Sequence, residues 1–154
     1  MERKEPEVIF PFSNQGGDSA YKIKTGEEFM QPETVYRLLK ETYWAKTRAK
    51  KSVERSLKHS VCVGAFEYPS GIQIGFVREL TDYSTVYYVV DLIVEQNFRN
   101  KGVGRQLMKT LIGQTELAGL RGILITRNPA AEKLYESLDF TVSDTTFMEK
   151  PAVK

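Results

Sequence analysis

The chain has 154 residues, 41% hydrophobic and 27% charged, and its net charge of +2 gives no reason to expect nucleic acid as a partner of this globular domain. Its one cysteine, Cys62, excludes an intramolecular disulfide, and its one histidine, His59, leaves too few ligands for a zinc site. No signal peptide is recognisable and no apolar run reaches membrane-spanning length, so we expect a cytoplasmic protein with no metal and no membrane partner.

An arm, a strand and two helices are predicted in the first part of the chain. Residues 1–19 are polar, with Pro, Gly and Asn, and are interpreted as a loose arm, in which the run VIFPF could dock, before a single domain at 20–154. Residues 21–26 (YKIKTG) alternate apolar and cationic side chains, which is typical of a strand. The helices are PETVYRLLKETYWAKT, which begins at Pro32, and SVERSLKHS, for which Ser52 is the predicted N-cap.

Three further strands are predicted after the second helix. The runs VCVGAF (61–66), IQIGFVREL (72–80) and TVYYVVDLIV (85–94) are apolar or alternating, and the turn sequences EYPSG and TDYS separate them. Such short connections favour an antiparallel meander. The third run is almost continuously apolar and β-branched, which indicates a central strand buried on both faces.

A strand–helix–strand unit and a second helix follow. The apolar residues take a helical period from Gly102, and LAGLRG (117–122) is predicted to end that helix before the strand ILIT (123–126). The two strands of such a unit are expected to be parallel, with a right-handed crossover. NPAAEKLYESL is the next helix, with Asn128 as its N-cap, and a short hairpin around FTV and TFME completes the sheet.

The glycine-rich sequence RNKGVG connects the apolar strand to the helix. A helix start exposes backbone N–H groups without partners and carries about half a positive charge, so it can bind phosphate oxygens. Arg99, Lys101 and Arg105 add full charges. An ordinary turn with solvated cations is the alternative. Two other phosphate-binding loops do not fit this sequence. A nucleoside-triphosphate loop requires a Ser or Thr after its glycine and lysine, and a dinucleotide fingerprint requires a third glycine; both are missing here.

RNKGVG fits the Arg/Gln-x-x-Gly-x-Gly/Ala signature of the GNAT superfamily of acyl-CoA-dependent N-acyltransferases, and the resemblance extends from about residue 52 to 140. VVDLIVEQNFRNKGVGRQLM resembles the family's coenzyme motif, and NPAAEKLYESLDF resembles its closing helix, except that Asp139 replaces the usual glycine. The resemblance implies a single mixed α/β domain. Its mostly antiparallel sheet would contain one parallel βαβ unit, splayed to hold acyl-CoA, with helices on both faces.

The resemblance also implies the residues that bind coenzyme A. The pyrophosphate would lie on the RNKGVG loop, and the pantetheine arm would pair with exposed backbone of the central strand. Leu92 and Val94 are expected to supply that backbone. The full predicted set is Leu92, Ile93, Val94, Arg99, Asn100, Lys101, Gly102, Val103, Gly104, Arg105 and Asn128.

Three residues are predicted to carry the chemistry. Tyr135 matches the family tyrosine that serves the leaving sulfur, although a buried aromatic on a helix face is the alternative. Asp91 and Glu95 are the candidate bases, and their alternatives are a structurally hydrogen-bonded Asp91 and a solvated Glu95. The resemblance implies that a backbone N–H near Val94 stabilises the oxyanion, and no covalent enzyme intermediate is needed.

The predicted function is transfer of an acetyl group from acetyl-CoA to a primary amine, on a small molecule or a protein, by direct attack. The alternatives are a non-catalytic acyl-CoA-binding module and, from scattered cations alone, nucleic-acid binding. Four aromatic residues could line the acceptor pocket or serve as core, and the stretch KTRAKK (46–51) could attract an acidic substrate or be a solvated helix end. The acceptor and the choice between monomer and homodimer stay open. The four aromatic residues are Tyr43, Trp44, Tyr83 and Tyr87.

Overall fold

The computed structural model of the protein describes residues 7–13 and 19–153. In these residues, six strands form one sheet whose spatial order follows the chain, and all neighbours are antiparallel except the last pair, which is parallel. Within the described residues the strands are β1 (Ile9–Pro11), β2 (Ala20–Thr25), β3 (Val61–Tyr68), β4 (Gln73–Thr81), β5 (Val86–Val94) and β6 (Arg121–Ile123). The α-helices of the same part of the chain are α1 (Pro32–Lys40), α2 (Lys50–Lys58), α3 (Val103–Ile112) and α4 (Pro129–Glu136).

The sheet has a hydrophobic core on each face, as the near-continuous apolar run of β5 predicts. β5 contributes Val89 to one core and Ile93 to the other, and these residues, four apart, lie on opposite faces because the pairing with β4 shifts between them. The first core joins the sheet to α3 through Leu107 and Leu111, and α4 packs at its margin. The second core joins the sheet to α1 and α2. The expected mixed α/β domain with helices on both faces is confirmed.

A β-bulge interrupts the pairing of β4 with β5. Phe76 lies opposite Ile93 and Arg78 lies opposite Val90, so Asp91 and Leu92 share one position of the partner strand. Asp91 has a φ of +60°, in the left-handed region that Asp tolerates better than most residues. The bulge therefore interrupts the regular alternation of side chains along β5 at Asp91.

β5 and β6 pair over only three residues and then separate. Val86, Tyr87 and Tyr88 lie opposite Arg121, Gly122 and Ile123, and residues 124–128 form no strand. A Cβ on Gly122 would lie 2.4 Å from the Tyr87 ring, so only glycine allows the two strands to approach this closely. The parallel βαβ unit is thus confirmed, with a gap beyond Tyr88 between the end of β5 and the segment that leads to α4.

Part of the predicted arm belongs to the sheet. Ile9–Pro11 pairs with β2, and the rings of Phe10 and Phe12 pack on Tyr21 with centroid distances of 5.5 and 5.1 Å. The backbone N–H of Ser13 then donates to the carbonyl of Lys101 at 2.9 Å. The run VIFPF therefore docks against the domain, whereas the predicted arm at 1–6 and 14–18 lies outside the described residues.

Three helix boundaries differ from the prediction. α1 ends at Lys40 because the Thr42 hydroxyl bonds back to the Leu39 carbonyl, at 2.8 Å, and closes a turn. α2 begins at Lys50 with Ala49 as its N-cap, not at Ser52, and its first residue forms an ion pair with Glu33 of α1. α3 stops at Ile112, well before LAGLRG, because Gly113 follows as its C-cap.

The end of the sheet also differs from the prediction. β6 covers 121–123 instead of 123–126, because its partner β5 is within reach only at those residues. The predicted final hairpin is wrong, since residues 137–153 form no strand and Phe147 and Met148 are exposed. A β6 of three residues offers a short edge, so a hairpin has little to pair with.

Candidate active site

The start of α3 exposes backbone donors that have no partner among the described residues, and it lies beside the gap in the sheet. Gly102 is the N-cap with a φ of +87°, and it provides no side-chain cap. Its carbonyl accepts the first intrahelical hydrogen bond, from the Gln106 N–H at 3.1 Å. The N–H groups of the first turn therefore have no acceptor within the helix. A Cβ on Gly104 would meet its nearest neighbour, Val94, at an ordinary 3.7 Å, so a side chain would fit here without a clash. The phosphate site predicted from the sequence is this helix start.

Three cations surround this helix start, and each is held by a contact of its own. Arg99 Nε donates to the Val94 carbonyl at 2.8 Å, and Arg105 Nη1 donates to Ser137 Oγ of α4 at 2.6 Å. Lys101 Nζ lies over the Phe12 and Phe98 rings, 6.0 and 5.7 Å from their centroids. Asn100 has a φ of +60°, and the buried Val103 opens the helix. The loop therefore carries positive charge in an ordered arrangement.

The end of β5 presents an open backbone edge to the gap. Glu95 N–H donates to the Ile74 carbonyl of β4 at 2.8 Å, and Ile93 lies opposite Phe76. Because alternate residues point their polar groups to opposite edges, Leu92 and Val94 face away from β4. The Val94 carbonyl is engaged by Arg99, which leaves the Val94 N–H as a donor. The side chain of Ile93 is buried in the second core.

α4 closes the other side of the gap. Asn128 Oδ1 accepts from the Ala130 N–H at 3.0 Å, which confirms the predicted N-cap. Tyr135 is half-buried in this helix, and its ring meets Phe140 edge-on at 6.2 Å between centroids. Burial raises the pKa of Tyr135 and the neighbouring Tyr43 adds to the shift, so the hydroxyl remains protonated at neutral pH. A protonated hydroxyl is available as a hydrogen-bond donor.

The two candidate bases have different surroundings. The Asp91 carboxylate accepts from Trp44 Nε1 at 3.0 Å, Arg48 Nη1 at 2.6 Å and Arg78 Nε at 2.8 Å. Burial would raise the pKa of Asp91, but the hydrogen bond from Arg48 and the two guanidinium charges outweigh burial and lower it. An acid held in this way is a weak proton acceptor. Glu95 Oε2 instead accepts one backbone bond, from Asn97 N–H at 3.2 Å.

The sequence did not single out Arg48 and Arg78 as site residues. Arg48 lies in the basic stretch interpreted as a possible solvated helix end, and Arg78 alternates with apolar neighbours in β4. Both partners are distant in sequence from Asp91, by 43 and 13 positions. The one available signal was the lone acid in an apolar strand, which needs partners when it is buried.

Two of the four predicted aromatic residues lie at the site. Tyr43 and Trp44 are exposed in the connection after α1 and meet edge-on at 5.1 Å. Trp44 Nε1 donates to Asp91, and Tyr43 is near enough to Tyr135 to add to the rise in the pKa of Tyr135. Tyr87, by contrast, is buried in the first core, and Tyr83 is exposed in the turn between β4 and β5.

Other reactive groups lie apart from this arrangement. Cys62 is buried, and desolvation raises the pKa of its thiol to about 12, so it is an unreactive core residue. His59 is exposed at the end of α2. In residues 7–13 and 19–153, no cluster of three or more His, Cys, Asp or Glu could hold a metal ion. None of the helices in the described part of the chain is both long and apolar enough to span a membrane.

Comparisons with known proteins found a matching family model and similar solved structures. The family model described as an acetyltransferase (GNAT) domain matches residues 58–142. A crystal structure assigned to the GNAT acetyltransferases, from Xanthomonas campestris pv. campestris, is 30% identical, covers 86% of this chain and 93% of its own, and superposes with a TM-score of 0.78. A GNAT-family acetyltransferase from Streptococcus pneumoniae is 27% identical over 87% of this chain and 99% of its own, with a TM-score of 0.68.

A more distant structure is similar in fold alone. It is an aminoglycoside N-acetyltransferase in complex with coenzyme A, 18% identical over 91% of this chain and 99% of its own, with a TM-score of 0.67. No curated protein sequence matches the chain. The family match covers more than half of the chain and includes β5, the glycine loop, α3 and α4. The chain therefore belongs to the GNAT acetyltransferase family.

Proposed function

We propose that this protein is an acetyl-CoA-dependent N-acetyltransferase that acts on a primary amine within a ternary complex. The observation that carries the proposal is the pairing of two features at one place. β5 and β6 separate after three residue pairs, and the start of α3 lies beside the end of β5, where a Cβ on Gly104 would be 3.7 Å from Val94. An open strand edge suits an extended amide-containing arm, and an uncapped helix start suits a pyrophosphate.

Acyl transfer forms a nitrogen–carbon bond and breaks a carbon–sulfur bond. The attacking amine loses one proton, and the departing thiolate gains one, so a base and a hydrogen-bond donor are needed. The Val94 N–H at the open edge is the proposed donor to the oxyanion, because Arg99 fixes the same residue by binding its carbonyl. Both groups belong to the main chain of β5, which keeps them rigid.

Tyr135 is the proposed donor to the departing sulfur. Its hydroxyl stays protonated because burial raises its pKa. A thiol is ordinarily more acidic than a tyrosine, with pKa values of about 8.5 and 10, so Tyr135 stabilises the thiolate by a hydrogen bond and not by full proton transfer. The last turn of α4 and the ring of Phe140 hold the tyrosine in place.

Glu95 is the proposed base, acting directly or through water. Its carboxylate accepts a single hydrogen bond among the described residues, whereas both oxygens of Asp91 are engaged. Replacing Glu95 with Gln should lower kcat/KM while the protein still binds coenzyme A. An unchanged kcat/KM would assign deprotonation to solvent or to another group.

The test of the proposed function is the release of free thiol from acetyl-CoA across a panel of primary amines, with the acetylated product identified by mass. Amine-dependent release is expected for the wild-type protein. The matched control is Tyr135→Phe, which keeps the packing ring and loses the hydroxyl. Binding of acetyl-CoA without transfer to any amine would favour the non-catalytic acyl-CoA-binding module, and absence of binding would contradict both functions.

A further inference from the structure

The buried acid of the bulge lies between two arginines. Arg48 and Arg78 both bind Oδ2 of Asp91, whose side chain is 1% exposed. Among the described residues, neither arginine has an ion pair with any other carboxylate. Two guanidinium groups against one carboxylate leave a formal charge of +1 at this cluster. The described residues therefore do not fully neutralise the positive charge beside this buried carboxylate.

The two arginines differ in how much of the guanidinium is available. Arg78 is 11% exposed and uses Nε for Asp91 and Nη1 for Ser60. Arg48 is 32% exposed and donates one hydrogen bond within the described residues, from Nη1 to Asp91. A guanidinium carries five N–H donors, so Arg48 retains donors that can reach solvent. Arg48 is thus the accessible part of the charge.

The accessible guanidinium lies beside the aromatic pair. Asp91 binds Arg48 through Oδ2 and Trp44 through Oδ1, so one carboxylate holds both side chains. Trp44 meets Tyr43 edge-on. The charge and the aromatic pair therefore form one continuous set of contacts around the bulge of β5, three positions before Val94, the proposed donor to the oxyanion.

We infer that the acceptor carries a negatively charged group beside its primary amine, bound by Arg48, and a flat or apolar group that packs on Tyr43 and Trp44. Asp91 is a positioning residue in this arrangement, because it fixes Arg48 and Trp44 without touching the acceptor. The inference rests on the proposed function. A guanidinium suits a carboxylate through paired N–H donors, and exposed rings suit flat groups. A free amino acid and the acidic N-terminus of a peptide both present this chemistry.

The experiment compares acceptors that differ only in that charge. The first pair is L-phenylalanine and its neutral amide, and the second is a hexapeptide beginning with Asp and the same peptide beginning with Asn. The kcat/KM for the anionic member of at least one pair should exceed that of the neutral member roughly 10- to 100-fold, as expected for a hydrogen bond between charged groups. The pair that responds identifies the source of the anion.

Variants of Arg48 assign the preference to one side chain. Arg48→Gln should lower kcat/KM for the anionic member far more than for the neutral member, and so remove the preference, while coenzyme binding stays intact; Arg48→Lys should restore part of the preference. The matched control is Arg55→Gln, an exposed arginine of α2, which should keep the preference. Melting temperatures verify that each variant is folded.

Each outcome distinguishes the inference from the proposed function. Equal or faster transfer to the neutral member of both pairs overturns the inference and leaves the acetyltransferase intact. Equal losses on both members of a pair in folded Arg48→Gln also overturn it, because they indicate a structural role for Arg48. No transfer to any amine overturns the proposed function, and the inference with it.

Discussion

Asp91→Asn separates the structural role of the buried acid from a catalytic one. The side chain keeps its shape, and asparagine also tolerates the left-handed backbone at φ +60°, so the substitution removes charge without backbone strain. It leaves the guanidinium groups of Arg48 and Arg78 without their counter-ion. We therefore expect a large loss of stability together with a modest effect on the chemistry.

The structure sets the size of that loss. Removing one partner of a buried ion pair costs about 3–5 kcal/mol. Arg78 is nearly buried, but Arg48 is 32% exposed, and water screens its charge, so we expect the low end, about 3 kcal/mol. For a domain of this size, that corresponds to a fall in melting temperature of roughly 6–12 °C.

The assay is denaturant unfolding at several pH values, with Asp139→Asn as the control. Asp139 also has a left-handed backbone, with a φ of +69°, but it is exposed, so its variant should stay within about 0.5 kcal/mol of wild type. Because the folded pKa of Asp91 is lowered, its contribution is present above the unfolded pKa of about 4 and is lost as the pH falls below it. The wild-type advantage should therefore shrink below about pH 4.

Two results would refute this reasoning about Asp91. A loss of less than about 1 kcal/mol at pH 7 would mean that the two arginines do not depend on the carboxylate. Near-normal stability combined with loss of the acidic limb of the pH–rate profile would instead identify Asp91 as the base.

Three further predictions concern single side chains. Gly104→Glu should abolish coenzyme A binding in calorimetry, and the protein should stay folded because a Cβ at this position meets only ordinary contacts. Wild-type affinity in this variant would mean that the pyrophosphate binds elsewhere. Tyr135→Phe should lower kcat about 10²–10⁴-fold with coenzyme affinity nearly unchanged. A kcat within twofold of wild type would instead support the alternative that Tyr135 is only a packing residue. Glu79 is fully buried, with one carboxylate oxygen unpaired, and desolvation raises its pKa to about 7. Because the folded form holds its proton more tightly than the unfolded form, wild-type stability should fall by up to about 3 kcal/mol as the pH rises from about 4.5 through 7. Glu79→Gln should lack this slope in unfolding experiments, and an identical slope would place the titration on another group.

Local sequence patterns predicted the parts of the site that depend on neighbouring residues. The helix start at Gly102 and the cap at Asn128 each follow from a few adjacent residues and their backbone preferences. The order of strands around the βαβ unit follows from the change of period and from the handedness rule.

Long-range contacts account for what the sequence could not predict. Arg48 and Arg78 bind Asp91 from elements that are far apart in the chain, so no local sequence pattern predicts that they meet. The hairpin after Phe140 failed for a related reason, since an apolar alternation indicates a strand only if a partner edge exists. The early end of α1 depends on one hydroxyl, Thr42, which closes a turn that helix propensity alone does not predict.

The hydrogen bond from Ser13 to Lys101 joins the N-terminal segment to the glycine loop. A Cβ on Gly102 would lie 2.7 Å from Ser13 Oγ, so the two segments are also in steric contact. Opening of the loop by local unfolding must therefore separate it from the segment that follows β1. Amide exchange in the loop would then report the stability of a distant edge strand, and ligand protection of one segment should extend to the other.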